Sequence, residues 1–261
     1  MTRYAAMFDR CRQAKEGAFG AFLMLGDPDL ETSAVMLDAL VEGGGDMIEL
    51  GIPFSDPVAD GPVIQAAATR ALAAGARTAD CLDLIAALRN RHPDVPIGIL
   101  TYANIVAARG IQAFARAVAE SGADSLLVAD VPTIEAVPYA DAANEAGIDL
   151  VMIAAPNTPP PTLARIAQLS SGYTYCVARA GVTGADQALS LGHGPLFAAL
   201  ARAGAPPPVL GFGISTPDHV REALASGAAG VISGSAIVAK VSEGADPVRA
   251  FVTAMKAATR R

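Results

Sequence analysis

The stretch ELGIPFSDPVADGP, residues 49–62, sets three carboxylates, Glu49, Asp56 and Asp60, close together in a chain that is otherwise apolar. A carboxyl group in apolar surroundings resists ionisation and can carry and release a proton near neutral pH. A second, ionised carboxylate on the following loop can approach the same ligand. Glu49 ends a short apolar run, whereas the Asp-Pro and Asp-Gly pairs of residues 52–62 cannot continue a strand or helix and predict a loop. Glu49 and Asp60 are therefore the candidate proton-handling pair, and Asp56 reads first as a turn or capping residue.

A second group of residues is suited to an anion. GFGIST (211–216) and ISGSAIV (232–238) each set small residues before a helix start. There, backbone N–H groups can approach a phosphate closely and the helix end adds partial positive charge. A third glycine-bearing stretch, RAGVTGAD (179–186), followed by polar sequence to Gly194, predicts a lid that closes over ligand, carries Arg179 and Thr183, and brings Gly184 to the phosphate.

What is missing narrows the chemistry. None of the three lysines, Lys15, Lys240 and Lys256, stands at the end of a predicted strand, which argues against a Schiff-base mechanism. His92, His193 and His219 form no metal-ligand pattern and read as surface residues, so no metal site is expected. Cys11, Cys81 and Cys176 are far apart and odd in number, which predicts neither disulfides nor zinc and fits a reducing cytoplasm. With neither imine nor metal as electron sink, a phosphorylated substrate cleaved here must supply its own.

The elements that position these groups are legible as a repeat. EGGGDMIELG, ESGADSLLVAD, EAGIDLVMIA and ASGAAGVISG each read as a helix end, a terminating glycine, a small or acidic residue and an unbroken apolar run. That is the junction between a helix and a parallel strand buried on both faces. Completing the pattern places strands near 18–25, 47–51, 97–101, 125–129, 149–153, 173–177, 208–212 and 230–233, alternating with amphipathic segments. Eight such units predict an α/β fold, a single (βα)8 TIM barrel spanning residues 1–261. A doubly wound sheet fits less well, because its GxGxxG fingerprint is missing after the first strand. Tyr4, Met7, Phe8 and Cys11 at helical spacing predict an extra N-terminal helix over one end of the core. A net charge of -7, with 19 basic residues spread without runs, argues against nucleic-acid and membrane-surface partners. No secretory pattern or long apolar span is present in the sequence.

LGDP (25–28), ELGIPFSDPVADGP, TYAN (101–104), VADVP (128–132), RAGVTG (179–184), GFGIS and SGSAIV (233–238) occur in order along the whole chain. In these motifs the sequence resembles the tryptophan synthase alpha chain family. The resemblance implies a (βα)8 lyase that cleaves indole-3-glycerol phosphate to indole and glyceraldehyde 3-phosphate. It implies that indole passes to a pyridoxal-phosphate-bearing beta chain in an alpha2-beta2 complex in the cytoplasm, with no cofactor in this chain. Protonation of indole C3 would then provide the missing electron sink. The resemblance assigns Glu49 as general acid and base and Asp60 as the acceptor of the indole N–H. The phosphate is assigned to backbone groups of Gly184, Gly213, Gly234 and Ser235. The indole pocket falls to Phe22, Leu100, Tyr102, Leu127, Ala129, Ile153, Tyr175, Phe212 and Ile232, and the partner contact to Pro53, Asp56 and Asn104. Met24, Ala178 and Ile105 depart from residues common in the family, which bears on rate and partner contact more than on the reaction. A stand-alone indole-releasing lyase, another phosphate-binding barrel enzyme and a non-catalytic activator of a partner share most of these features. Turnover of indole-3-glycerol phosphate and the effect of Glu49→Gln separate them.

Overall fold

The computed structural model describes residues 1–177 and 193–260. Its strands are β1 (Ala18–Met24), β2 (Met47–Gly51), β3 (Ile97–Thr101), β4 (Ser125–Val128), β5 (Asp149–Leu150), β6 (Ile153–Ala154), β7 (Thr174–Val177), β8 (Pro208–Gly211) and β9 (Gly230–Ser233). All paired strands run parallel, in the order β5-β4-β3-β2-β1-β9-β8-β7-β6. The fifth predicted strand is in two short pieces rather than one. β5 pairs with β4 and β6 with β7, and between them Val151 N donates to Leu126 O at 2.9 Å while Tyr175 N donates to Met152 O at 3.0 Å. These two peptides carry the chain across from one edge of the curled sheet to the other, so β5 and β6 form one stave and the barrel has eight.

Around the staves lie α1 (Arg3–Gln13), α2 (Leu30–Glu42), α3 (Pro62–Ala73), α4 (Thr78–Arg91), α5 (Ala103–Arg109), α6 (Ile111–Glu120), α7 (Val137–Ala146), α8 (Pro160–Leu169), α9 (Gly194–Arg202), α10 (Pro217–Ala225), α11 (Ser235–Val238) and α12 (Ala245–Ala257). Among the described residues, no helix is long and apolar enough to cross a membrane.

Strand parity sorts every stave residue. All of β1 is buried, yet Phe19, Ala21 and Leu23 join the layer beneath the helices, whereas Ala18, Phe22 and Met24 join a separate cluster inside the barrel. Successive side chains of a strand point to opposite faces, so β2 sends Ile48 and Leu50 outward and Glu49 inward. In register, Glu49 lies between Phe22 of β1 and Gly98 of β3. A Cβ on Gly98 would come within 2.7 Å of Ser125 Oγ and 2.9 Å of Tyr4 Oη. Only a glycine leaves room for the tyrosines that fill the barrel beside Glu49.

The acidic residue of the repeated junction also has a use. Asp46 accepts the Phe19 N–H at 2.9 Å, and Asp124 accepts the Ile97 N–H at 2.8 Å. Each ties the start of the neighbouring stave to its own. α1 covers this end of the barrel with Tyr4, Met7 and Cys11, and Arg3 and Arg89 both reach Asp124. Cys11 lies in the covering helix, Cys81 of α4 and Cys176 of β7 share the layer between helices and staves, and all three are free and buried.

Candidate functional site

The opposite end, at the carboxyl ends of the strands, opens into a cleft. Phe22, Leu100, Leu127, Ala129, Ile153, Tyr175, Phe212 and Ile232 line it together with Glu49 and Asp60, and Gly213, Gly234 and Ser235 lie at its other side. Sequence reasoning missed Ala59, Ile64, Ile214, Ser215 and Ala236, which share the lining. These sit in the loop after β2 and at the starts of α3, α10 and α11, where apolar pattern alone does not separate rim from core. Tyr102 is not in the lining. It starts α5, is 2% exposed and stacks on Phe54, with ring centroids 5.4 Å apart. Ala178, Arg179, Thr183 and Gly184 lie outside the described residues.

Glu49 is 3% exposed, and Tyr173 Oη donates to its Oε1 at 3.0 Å. Burial drives its pKa from 4.5 up to about 8. The Tyr173 hydrogen bond pulls the other way by favouring the ionised form, and the nearby charge of Asp60 adds to the rise. Tyr173 packs on Tyr4 at 5.2 Å between centroids, and Tyr4 Oη lies 2.9 Å from Ser125 Oγ, so the ring that holds Glu49 is itself held from below.

Asp60 is 6% exposed and precedes α3, which Gly61 caps and Pro62 begins. Its main chain is fixed by its N–H on Pro57 O at 3.1 Å and by Gln65 Nε2 donating to its carbonyl at 2.6 Å. Burial raises its pKa from 3.8 to about 6, and the nearby Tyr102 hydroxyl lowers it. That hydroxyl is close enough to be felt by the carboxyl yet has no hydrogen-bond partner of ordinary geometry. Between about pH 6 and 8 the pair accordingly holds one proton, with Glu49 protonated and Asp60 ionised.

The other side of the cleft offers backbone. Phe212 and Gly213 both have positive φ, 67° and 79°. A left-handed phenylalanine is strained and persists only where its surroundings hold it. Ser233 Oγ donates to Ile214 O at 2.6 Å, fastening this loop to the end of β9. Gly234 caps α11, so the first N–H groups of that turn have no partner within the helix.

Of the residues expected at a partner surface, Asp56 and Asn104 are exposed and Pro53 is buried. On the same face Val58 is 71% and Ile134 82% exposed. His193 was expected at the surface but is 2% exposed, because it starts α9 with its ring stacked on Phe197. Among the described residues no cluster of His, Cys, Asp and Glu is arranged to hold a metal ion.

A parallel eight-stave barrel with two buried carboxylates in an apolar-walled cleft at the carboxyl ends of its strands is the arrangement of a barrel enzyme that moves protons. The family profile described as tryptophan synthase alpha chain matches residues 8–261. Tryptophan synthase alpha chains from Shewanella amazonensis and Escherichia coli are 48% and 47% identical to this chain. They cover 99% and 100% of it, each over 100% of its own length. A structure of Mycobacterium tuberculosis tryptophan synthase superposes with a TM-score of 0.92 at 32% identity, covering 100% of this chain and 99% of that one. A Legionella pneumophila tryptophan synthase subunit alpha gives 0.86 at 29% identity, covering 99% and 98%. The chain belongs to the tryptophan synthase alpha chain family, the lyases that cleave indole-3-glycerol phosphate.

Proposed function

We propose that Glu49 and Asp60 carry the cleavage of indole-3-glycerol phosphate in this chain, with the phosphate bound by backbone groups at Gly184, Gly213, Gly234 and Ser235. The observation that carries the reading is the geometry of the pair: Glu49 and Asp60, 3% and 6% exposed, line one apolar-walled cleft, where burial raises both carboxyls.

Protonated Glu49 delivers its proton to indole C3, which converts the ring to an iminium-like tautomer. Ionised Asp60 accepts the indole N–H and stabilises the positive charge that develops there. The Glu49 carboxylate then removes the proton of the glycerol hydroxyl next to the ring. As that oxygen becomes an aldehyde, the bond between the glycerol carbon and C3 breaks, and its electron pair returns to the ring to restore neutral indole. Glu49 ends with the proton it began with. The apolar walls, Phe22, Leu100, Leu127, Ile153, Tyr175 and Phe212 among them, hold the ring in plane and keep water from the carboxyl.

The partner is a tryptophan synthase beta chain carrying pyridoxal phosphate, in an alpha2-beta2 complex in the cytoplasm. The exposed Val58 and Ile134 support a contact on the cleft face, around Pro53, Asp56 and Asn104. The whole chain is one domain. Indole release from indole-3-glycerol phosphate, with and without a beta chain, tests the reading. It should rise with the beta chain and collapse in Glu49→Gln and Asp60→Asn. Undiminished release by Glu49→Gln would leave the chain an activator rather than the catalyst.

A further inference from the structure

The last residue of the GFGIS loop is tied down from the following helix. Thr216 caps α10 and accepts the His219 N–H on its Oγ1 at 3.2 Å. The His219 side chain turns back over this cap, so that the Ser215 N–H donates to Nδ1 at 3.3 Å and Ser215 Oγ stands 3.3 Å from the same nitrogen. An amide N–H can only donate, so Nδ1 is the acceptor and the ring proton sits on Nε2. The imidazole thus occupies the Ser215 amide. The Ser215 hydroxyl stands at the same distance from a lone pair that the amide already uses.

Ser215 lines the cleft beside Gly213, Gly234 and Ser235. The loop leading to it includes the strained Phe212 and Gly213 and is held on one side by Ser233 on Ile214. His219 provides the tether on the other side.

We propose that His219 is a positioning residue for the phosphate end of the substrate: it fixes Ser215 so that the serine hydroxyl, rather than its amide, is presented to a phosphate oxygen alongside Ser235. This rests on the phosphate placement given above. The hydroxyl adds a side-chain donor to a cradle otherwise made of backbone, and a hydrogen bond to a charged oxygen is among the stronger ones.

The test measures kcat and KM for indole-3-glycerol phosphate and competitive inhibition by glycerol 3-phosphate. The variants are Ser215→Ala, His219→Leu, His219→Asn and the double variant Ser215→Ala/His219→Leu, each with its thermal midpoint. Ser215→Ala and His219→Leu should each raise KM and the inhibition constant by about tenfold while kcat stays within about twofold. His219→Asn should restore wild-type values, because its amide oxygen can stand where Nδ1 does. The double variant should bind no worse than the weaker single variant. Unchanged binding in His219→Leu, even with a lowered midpoint, would reduce the histidine to a helix cap and overturn the proposal. Additive losses in the double variant would overturn it equally, since His219 would then act by another route. If His219→Leu does not fold, an unchanged inhibition constant in Ser215→Ala decides against it alone. Wild-type protein that turns over substrate but is not inhibited by glycerol 3-phosphate would instead remove the phosphate placement itself, and the proposal with it.

Discussion

The two sides of the cleft solve different problems with different parts of the chain. At the ends of β2 and the loop beyond it, ionisable side chains are sunk into apolar walls, where burial raises both Glu49 and Asp60. At the ends of β8 and β9, where we propose the phosphate binds, the cleft offers main-chain amides and small hydroxyls, with left-handed backbone at Phe212 and Gly213. One side trades solvation for proton affinity, and the other offers fixed dipoles that do not titrate. Damage to the first should therefore fall on kcat, and damage to the second on KM.

Glu49→Gln is the harshest test of that division. It should lower kcat about a thousandfold or more, within the range that positioned acid–base groups supply, and leave KM nearly unchanged. Its effect on stability has a definite sign. A carboxyl raised from 4.5 to about 8 on folding contributes stability that is fully present below pH 4.5 and is lost as pH rises towards 8. The variant lacks this loss, so at pH 8 it should be more stable than wild type by a few kcal/mol, roughly. Denaturant titrations at pH 5 and 8 would show it, and a variant that is equally stable at both relative to wild type would mean Glu49 is not buried as described.

Asp60→Asn should cost about a hundredfold in kcat. It should also remove the acid limb of a pH profile that in wild type rises near pH 6 as Asp60 ionises and falls near 8 as Glu49 does. A profile with the acid limb intact in Asp60→Asn would assign that limb to another group.

On the backbone side, Gly213→Ala meets no atom within 4 Å of its new Cβ, so its effect comes from φ of +79° alone. It should destabilise the loop by about 1–2 kcal/mol and raise KM several-fold with kcat nearly kept. A fall in kcat as large as that of Asp60→Asn would erase the division between the two sides.

The smallest effect is expected from Tyr173→Phe. Losing the hydroxyl that favours ionised Glu49 should move the basic limb to higher pH by roughly one pH unit or less. A shift to lower pH would mean the tyrosine favours the protonated carboxyl.

The barrel was readable because its repeat is a physical one. A helix must stop and a buried strand must begin, and glycine with an acidic residue does both, as Asp46 and Asp124 show by holding amides near the starts of β1 and β3. Glu49 was readable because strand parity and position fix where it points. Its partner was not: Tyr173 is 124 residues away and reaches it across the barrel, a contact no local pattern encodes. Tyr102 was read as a wall because it follows β3, but the chain has already turned into α5 there and the ring lies against Phe54. His193 looked polar and exposed, yet the start of α9 lays its ring on Phe197. Parity serves within a stave and fails at the turn that leaves it.

The three free thiols mark out the molecule for chemical labelling. Burial pushes Cys11 up to about 11, and Cys81 and Cys176 up to about 12, so the native chain presents no reactive thiolate. A thiol reagent would register only when a layer opens: the covering helix through Cys11, and the layer between helices and staves through Cys81 on its helix side and Cys176 on its strand side. Single-cysteine versions of the chain would then time the opening of each layer separately.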